Sequence, residues 1–156
     1  LIGNGFFDFL PGNGLYVDLD GSHNDAGVMT KSPSIALGAG NYVLSFSLAG
    51  SQRGSAEDVV AKVFGNNSSN YGTLSVVALP SSTPFQTRTI NFTLAAPDPA
   101  VRFSFENAGN DNVGALLDNV VLQDNPRLHP VPEPFTLSLL GTGVVGLAIR
   151  RRRALA

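Results

Sequence analysis

The chain has no cysteine, no tryptophan, one methionine and two histidines among its 156 residues. Without cysteine there is no disulfide scaffold, no thiolate zinc site and no cysteine nucleophile. His23 and His129 leave little from which to build a histidine metal cage or a Ser-His-Asp triad. Charge is also scarce, at 14% of residues, where soluble proteins carry roughly 25%. Up to Ile149 there are six basic residues against twelve acidic ones, a net charge of −6, and Arg150, Arg151, Arg152 and Arg153 supply the rest. An acidic body repels a phosphate backbone, so nucleic acid is not an expected partner. These shortages argue against most enzyme classes.

Glycine and proline are plentiful, at 17 and 10 residues, and ten phenylalanines can fill a core. The first two predict many turns and the third excludes intrinsic disorder. The length suits one domain of ordinary size. The chain opens at Leu1 rather than at a methionine, as it would after removal of a signal peptide or in a fragment.

Residues 1–125 read as short strands. Tyr42, Leu44, Phe46 and Leu48 alternate with Val43, Ser45, Ser47 and Ala49 between Asn41 and Gly50. Ile90, Phe92 and Leu94 alternate with Thr89, Asn91 and Thr93, and Val101, Phe103 and Phe105 alternate with Arg102, Ser104 and Glu106. A period of two in β-branched and aromatic residues is the strand signal. Weaker candidates are 15–19, 34–37, 59–64, 73–79 and 116–122, separated by Gly, Asn and Ser clusters. The spacing predicts an all-β fold, an antiparallel, jelly-roll-like sandwich of about eight strands.

The texture changes after a short linker over 126–130. Val131-Pro132-Glu133-Pro134 precedes fifteen residues, Phe135 to Ile149, that contain no charge, and four arginines then stop the run. As a helix this run would reach roughly 22 Å, short of the ~30 Å hydrocarbon core of a bilayer. The arginines can snorkel to headgroups and hold the C-terminus on the cytoplasmic side. A marginal span with a basic stop suits a removable signal and predicts a C-terminal hydrophobic transmembrane helix over 135–149.

These three parts in order, over about 26 residues, resemble the PEP-CTERM sorting domain of exported Gram-negative proteins. The resemblance implies recognition by exosortase, cleavage near Pro132-Glu133-Pro134, transient anchoring in the inner membrane, and delivery to the cell surface or a polysaccharide-rich biofilm matrix. The position after the motif is Phe135, where the family often has a small hydroxyl residue. The body has resemblances of its own. Gly3-Asn-Gly-Phe-Phe-Asp8 and Leu117-Asp-Asn-Val-Val-Leu122 look like the two ends of carbohydrate-binding jelly rolls, and 15–19 together with 42–54, including Gly50-Ser-Gln-Arg-Gly54, resembles the N-terminal region of PEP-CTERM proteins.

Candidate site residues in the body are few. Asp118 lies in a strand apolar on both faces, so its carboxylate needs backbone donors, an arginine such as Arg102, or a metal; the jelly-roll resemblance implies a structural Ca²⁺ there. Asp18-Leu-Asp20-Gly21-Ser22, with Asn24 and Asp25, gathers oxygen ligands, but its glycine is the fourth residue of the loop rather than the sixth that a helix-loop-helix calcium site requires; it reads as a polar turn. With tryptophan absent, Tyr71 among Asn and Gly is the exposed aromatic that could stack on a sugar, and Arg53 could bind an acidic one. The expectation is an exported, non-enzymatic sandwich that binds extracellular polysaccharide. A self-associating structural protein is the alternative, and a secreted polysaccharide hydrolase comes third.

Overall fold

The strongest alternation in the chain, over 41–50, becomes an interior strand of a five-stranded sheet. The computed structural model describes residues 1–5, 7–21, 27–109 and 111–125. Ten strands run through them: β1 (Ile2–Gly3), β2 (Leu15–Asp18), β3 (Val28–Thr30), β4 (Ile35–Leu37), β5 (Gly40–Ala49), β6 (Glu57–Phe64), β7 (Asn70–Leu79), β8 (Gln86–Leu94), β9 (Asp98–Asn107) and β10 (Leu116–Asp124). A single 3₁₀ turn at Asn66–Ser68 is the only helical element among the described residues. The strands form two antiparallel sheets, one in the order β1-β2-β10-β5-β8 and the other β3-β9-β6-β7, with β4 also on β9.

Strands distant in sequence are neighbours in each sheet. Leu116, Leu117 and Asp118 of β10 face Ala49, Leu48 and Ser47 of β5, while Leu116 and Leu117 also face Asp18 and Val17 of β2. The last strand therefore closes the sheet between two early ones. Leu44, Phe46, Leu48, Ile90, Phe92 and Leu94 from one sheet are buried against Val59, Ala61, Val63, Val101, Phe103 and Phe105 from the other. Phe46 meets Phe105 edge to face, with ring centroids 4.9 Å apart. The buried set is the inward half of each alternating run, because a period of two places every second side chain on one face.

A smaller cluster occupies the opposite face of the first sheet. Tyr16, Ala49 and Leu116 are buried there beneath Ile2, Phe9, Leu10 and Phe85. The N-terminal segment is pinned over them: the Tyr16 hydroxyl donates to Asp8 Oδ1 at 3.0 Å and accepts from the Leu10 N–H at 2.9 Å. Burial, foremost, raises the pKa of this phenol.

All eight expected strands are present, and two more accompany them. Ile2–Gly3 has two residues and Val28–Thr30 has three. Neither is long enough for an alternation to show, and all three residues of β3 are exposed. Leu1–Pro126 forms one compact unit. The linker over 126–130, the tetrapeptide Val131–Pro134, the apolar run 135–149 and Arg150–Arg153 lie outside the described residues. Among the described residues no helix is long and apolar enough to cross a membrane.

Candidate functional site

The Gly50–Gly54 segment leaves β5 and is stapled to the turn at 80–83. Gly50 donates its N–H to Thr83 O, and Gln52 donates its N–H to Ser81 O. The Gln52 amide nitrogen Nε2 also donates to the carbonyls of Gly50, Ser81 and Thr83. Ser81 Oγ accepts the Gly54 N–H at 2.7 Å. Glycine is required at position 50, because a Cβ there would run into the backbone oxygens of Pro80 and Ser81.

This staple aims Arg53 across the molecule. Its Nη2 is 2.6 Å from Asp18 Oδ2, its Nη1 donates to the Asn112 carbonyl at 2.6 Å, and its Cζ lies 4.9 Å from the centre of the Phe9 ring. The side chains of Arg53 and Asp18 are 22% and 9% exposed, so the ion pair is largely shielded from water. Burial raises the Asp18 pKa, against the pull of Arg53 and of the N–H groups of Asp20 and Gly21. Arg53, Asp18, Phe9 and Asn112 line a cleft of about 400 Å³ together with Leu1, Ile2, Phe7 and Gly21. Phe7 is 65% exposed and has a left-handed φ of 47°. An aromatic face, a carboxylate and a guanidinium thus border one concavity, which suits the apolar face and the hydroxyls of a sugar.

The three body residues expected at a site occupy three different places. Arg53 lines the cleft, and Tyr71 and Asp118 do not. Tyr71 is in strand β7 rather than in a loop. Its ring lies parallel to Phe92, with centroids 6.4 Å apart, and its hydroxyl donates to Asp98 Oδ2 at 2.6 Å. That hydrogen bond, foremost, raises the Tyr71 pKa and lowers that of Asp98. Asp118 is half-buried at a β-bulge between Asp118 and Val121, where its Oδ1 accepts the N–H of Asn119 at 2.7 Å. Arg102 is not its partner: the ion pairs among the described residues are Arg53–Asp18 and Lys62–Glu106.

Sequence reasoning missed Phe7, Phe9 and Asn112. The two phenylalanines had a signal, since they sit in a Phe-rich stretch before Pro11 outside any strand alternation. Asn112 contributes its carbonyl oxygen, and no residue identity announces that.

A second cavity, of about 380 Å³, is lined by Met29, Lys31, Phe103, Phe105 and Val120. It is more apolar than the first and carries no acidic side chain.

The PEP-CTERM protein-sorting motif model matches residues 130–153. Among solved structures, the fold is similar to the C-terminal domain of EclA, described as a sugar-binding protein, at a TM-score of 0.50 and 11% identity, over 79% of this chain and 89% of that one. A family 16 carbohydrate-binding module is similar at a TM-score of 0.44 and 15% identity, over 66% and 73%. The N-terminal cellulose-binding domain of Cellulomonas fimi β-1,4-glucanase C is similar at 0.43 and 21%, over 70% and 76%. No curated protein matches the sequence. The sorting motif implies export and a cell-surface or extracellular location. The chain is thus a two-sheet antiparallel β-sandwich that carries a PEP-CTERM protein-sorting motif at residues 130–153.

Proposed function

We propose that the protein is an exported, non-enzymatic surface protein whose body binds extracellular polysaccharide in the cleft beside Arg53. In this reading exosortase cuts near Val131–Pro134. The run 135–149 holds the chain in the inner membrane of a Gram-negative host only until then, with Arg150–Arg153 on the cytoplasmic side. Released protein joins the cell surface or matrix.

The observation that carries the binding assignment is the cleft itself, in which the exposed Phe7 ring stands beside the Asp18–Arg53 pair. The ring covers one face of a sugar, and the ion pair presents both an acceptor and donors to hydroxyls. Two of the guanidinium nitrogens are already engaged and its charge is matched by Asp18. A uronate therefore gains no forked partner there, and a neutral polymer is the better ligand. Asp18 is the one carboxylate lining the cleft among the described residues, whereas glycoside hydrolysis ordinarily needs two. That favours binding over turnover.

The test is titration of the full chain with neutral and acidic exopolysaccharides. Neutral polymers should bind, with affinity that depends little on salt and falls about tenfold in Phe7→Ala, as expected for one stacked ring. Binding to neither class, or binding unaffected by Phe7→Ala, overturns the assignment. A self-associating structural role is the second reading, favoured by Val77, 74% exposed on the edge strand β7. It predicts oligomers that form with rising concentration and disappear in Val77→Lys.

A further inference from the structure

Asp20 is 7% exposed, and neither oxygen of its carboxylate has a hydrogen-bond partner. An ionised carboxylate in that position is costly unless a charge compensates it. Its surroundings worsen the problem. The like charges of Asp111, Asp18 and Glu57 act on it, and Arg53 opposes them. Arg53 is already committed to Asp18 and to the Asn112 carbonyl.

The local donors are committed elsewhere as well. Asp18 Oδ1 accepts the N–H groups of Asp20 and Gly21, Glu57 accepts from the Ser55 hydroxyl and the Asn107 amide, and Asp111 Oδ1 accepts the Val113 N–H. A Cβ on Gly109 would lie 3.2 Å from Asp20 Oδ2, 3.4 Å from Asn107 Nδ2 and 3.7 Å from Asp111 Oδ1, so the absence of a side chain there leaves a narrow gap that both carboxylates border. Asp111 is exposed, which opens that gap to solvent.

We propose that Asp20 and Asp111, which both border the gap at Gly109, hold a divalent cation of the calcium class. Such an ion takes six to eight oxygen ligands and accepts backbone carbonyls and water beside carboxylates. Among the described residues no three acidic or histidine side chains form a ligand shell by themselves. Two carboxylates completed by carbonyls and water therefore suit calcium better than zinc, which takes nitrogen and sulfur ligands in a closed tetrahedron. Neither Asp20 nor Asp111 lines the cleft beside Arg53, although their chain neighbours Gly21 and Asn112 do.

The experiment is calorimetric titration of the chelator-stripped full chain with Ca²⁺ and with Mg²⁺, alongside thermal unfolding at each calcium concentration. One equivalent of Ca²⁺ should bind, and the melting temperature should climb with its concentration. Asp20→Asn should lose both responses. In chelator it should melt above wild type, because a neutral amide ends the repulsion. Asp111→Asn should weaken Ca²⁺ binding about tenfold or more, a loss of one charged ligand, and it decides the matter if Asp20→Asn does not fold. Asp118→Asn should respond like wild type. The proposal is overturned if wild type neither binds nor is stabilised by Ca²⁺ up to about 10 mM, beyond the weakest extracellular calcium modules. It is equally overturned if the response survives Asp20→Asn or Asp111→Asn, or vanishes in Asp118→Asn.

Discussion

Arg53 was expected as an exposed contact for an acidic sugar, and the fold instead makes it a largely shielded strut between the 50–54 loop, Asp18 and the Asn112 carbonyl. Removing its counter-charge should therefore cost stability. Asp18→Ala leaves a guanidinium that is 22% exposed without its carboxylate, and a loss of about 2 kcal/mol is expected, below that of a fully buried pair because some water remains. Urea unfolding of both proteins measures it. Gly50→Ala should cost about 3 kcal/mol, since its methyl group meets backbone rather than a side chain that could move. A pH effect belongs to the same neighbourhood. Asp18 and Asp20 both titrate above the ordinary 3.8, so the native state holds their protons more tightly than the unfolded chain. Their contribution to stability is present at low pH and is lost as pH rises from about 4 through the raised values. In chelator, Asp20→Asn should flatten that decline, as urea midpoints across the range would show.

Among the elements, the join of β7, β9 and the turn at 66–68 rests on Asp98. Its carboxylate accepts from the Tyr71 hydroxyl and from the N–H groups of Asn66 and Ala100. These bonds hold its pKa below the ordinary value, the Tyr71 bond foremost. Here the sign is opposite to that of Asp20: the stabilisation is present above the unfolded pKa and is lost as pH falls through the lowered one. Asp98→Asn should be less stable than wild type at neutral pH and should lose less on acidification, read from unfolding midpoints at about pH 6 and pH 3. Strands with strict alternation were legible because burial on one face imposes a period of two. In β8, Ile90, Phe92 and Leu94 are buried and Thr89, Asn91 and Thr93 are exposed, as their order implies. Strands β1 and β3 were not legible because two or three residues carry no period, and pairing with β2 and β9 alone makes them strands. Phe105, buried against both Phe46 and Phe103, tests the packing between the sheets: Phe105→Ala should cost about 3–5 kcal/mol in chemical denaturation.

For the whole molecule, the acidic body and the basic end differ sharply in charge. If the tail is cut near Val131–Pro134, extracellular protein should lack Arg150–Arg153 and be more acidic than the unprocessed chain by three charges for a cut before Glu133 or by four for a cut after it. Intact-mass analysis of protein secreted by a host that has the sorting enzyme checks this, and a retained tail would contradict it. The tail was readable from sequence alone because the sorting motif is defined by the order of its residues: Val-Pro-Glu-Pro, an uncharged run and a block of arginines. The sandwich was readable for a related reason, since alternation is a local consequence of burying one face. The sites were not. Arg53, Asp18, Phe9 and Asn112 are scattered over a hundred residues, and Asp20, Gly109 and Asp111 over ninety, so only the closing of β10 between β2 and β5 makes either group a neighbourhood. Composition and order determined what kind of chain this is and where it is sent. Tertiary structure decided which charges are buried, which are paired, and that the Asp20 carboxylate is left without a donor, because burial and proximity are properties of the packed chain and not of any residue in it.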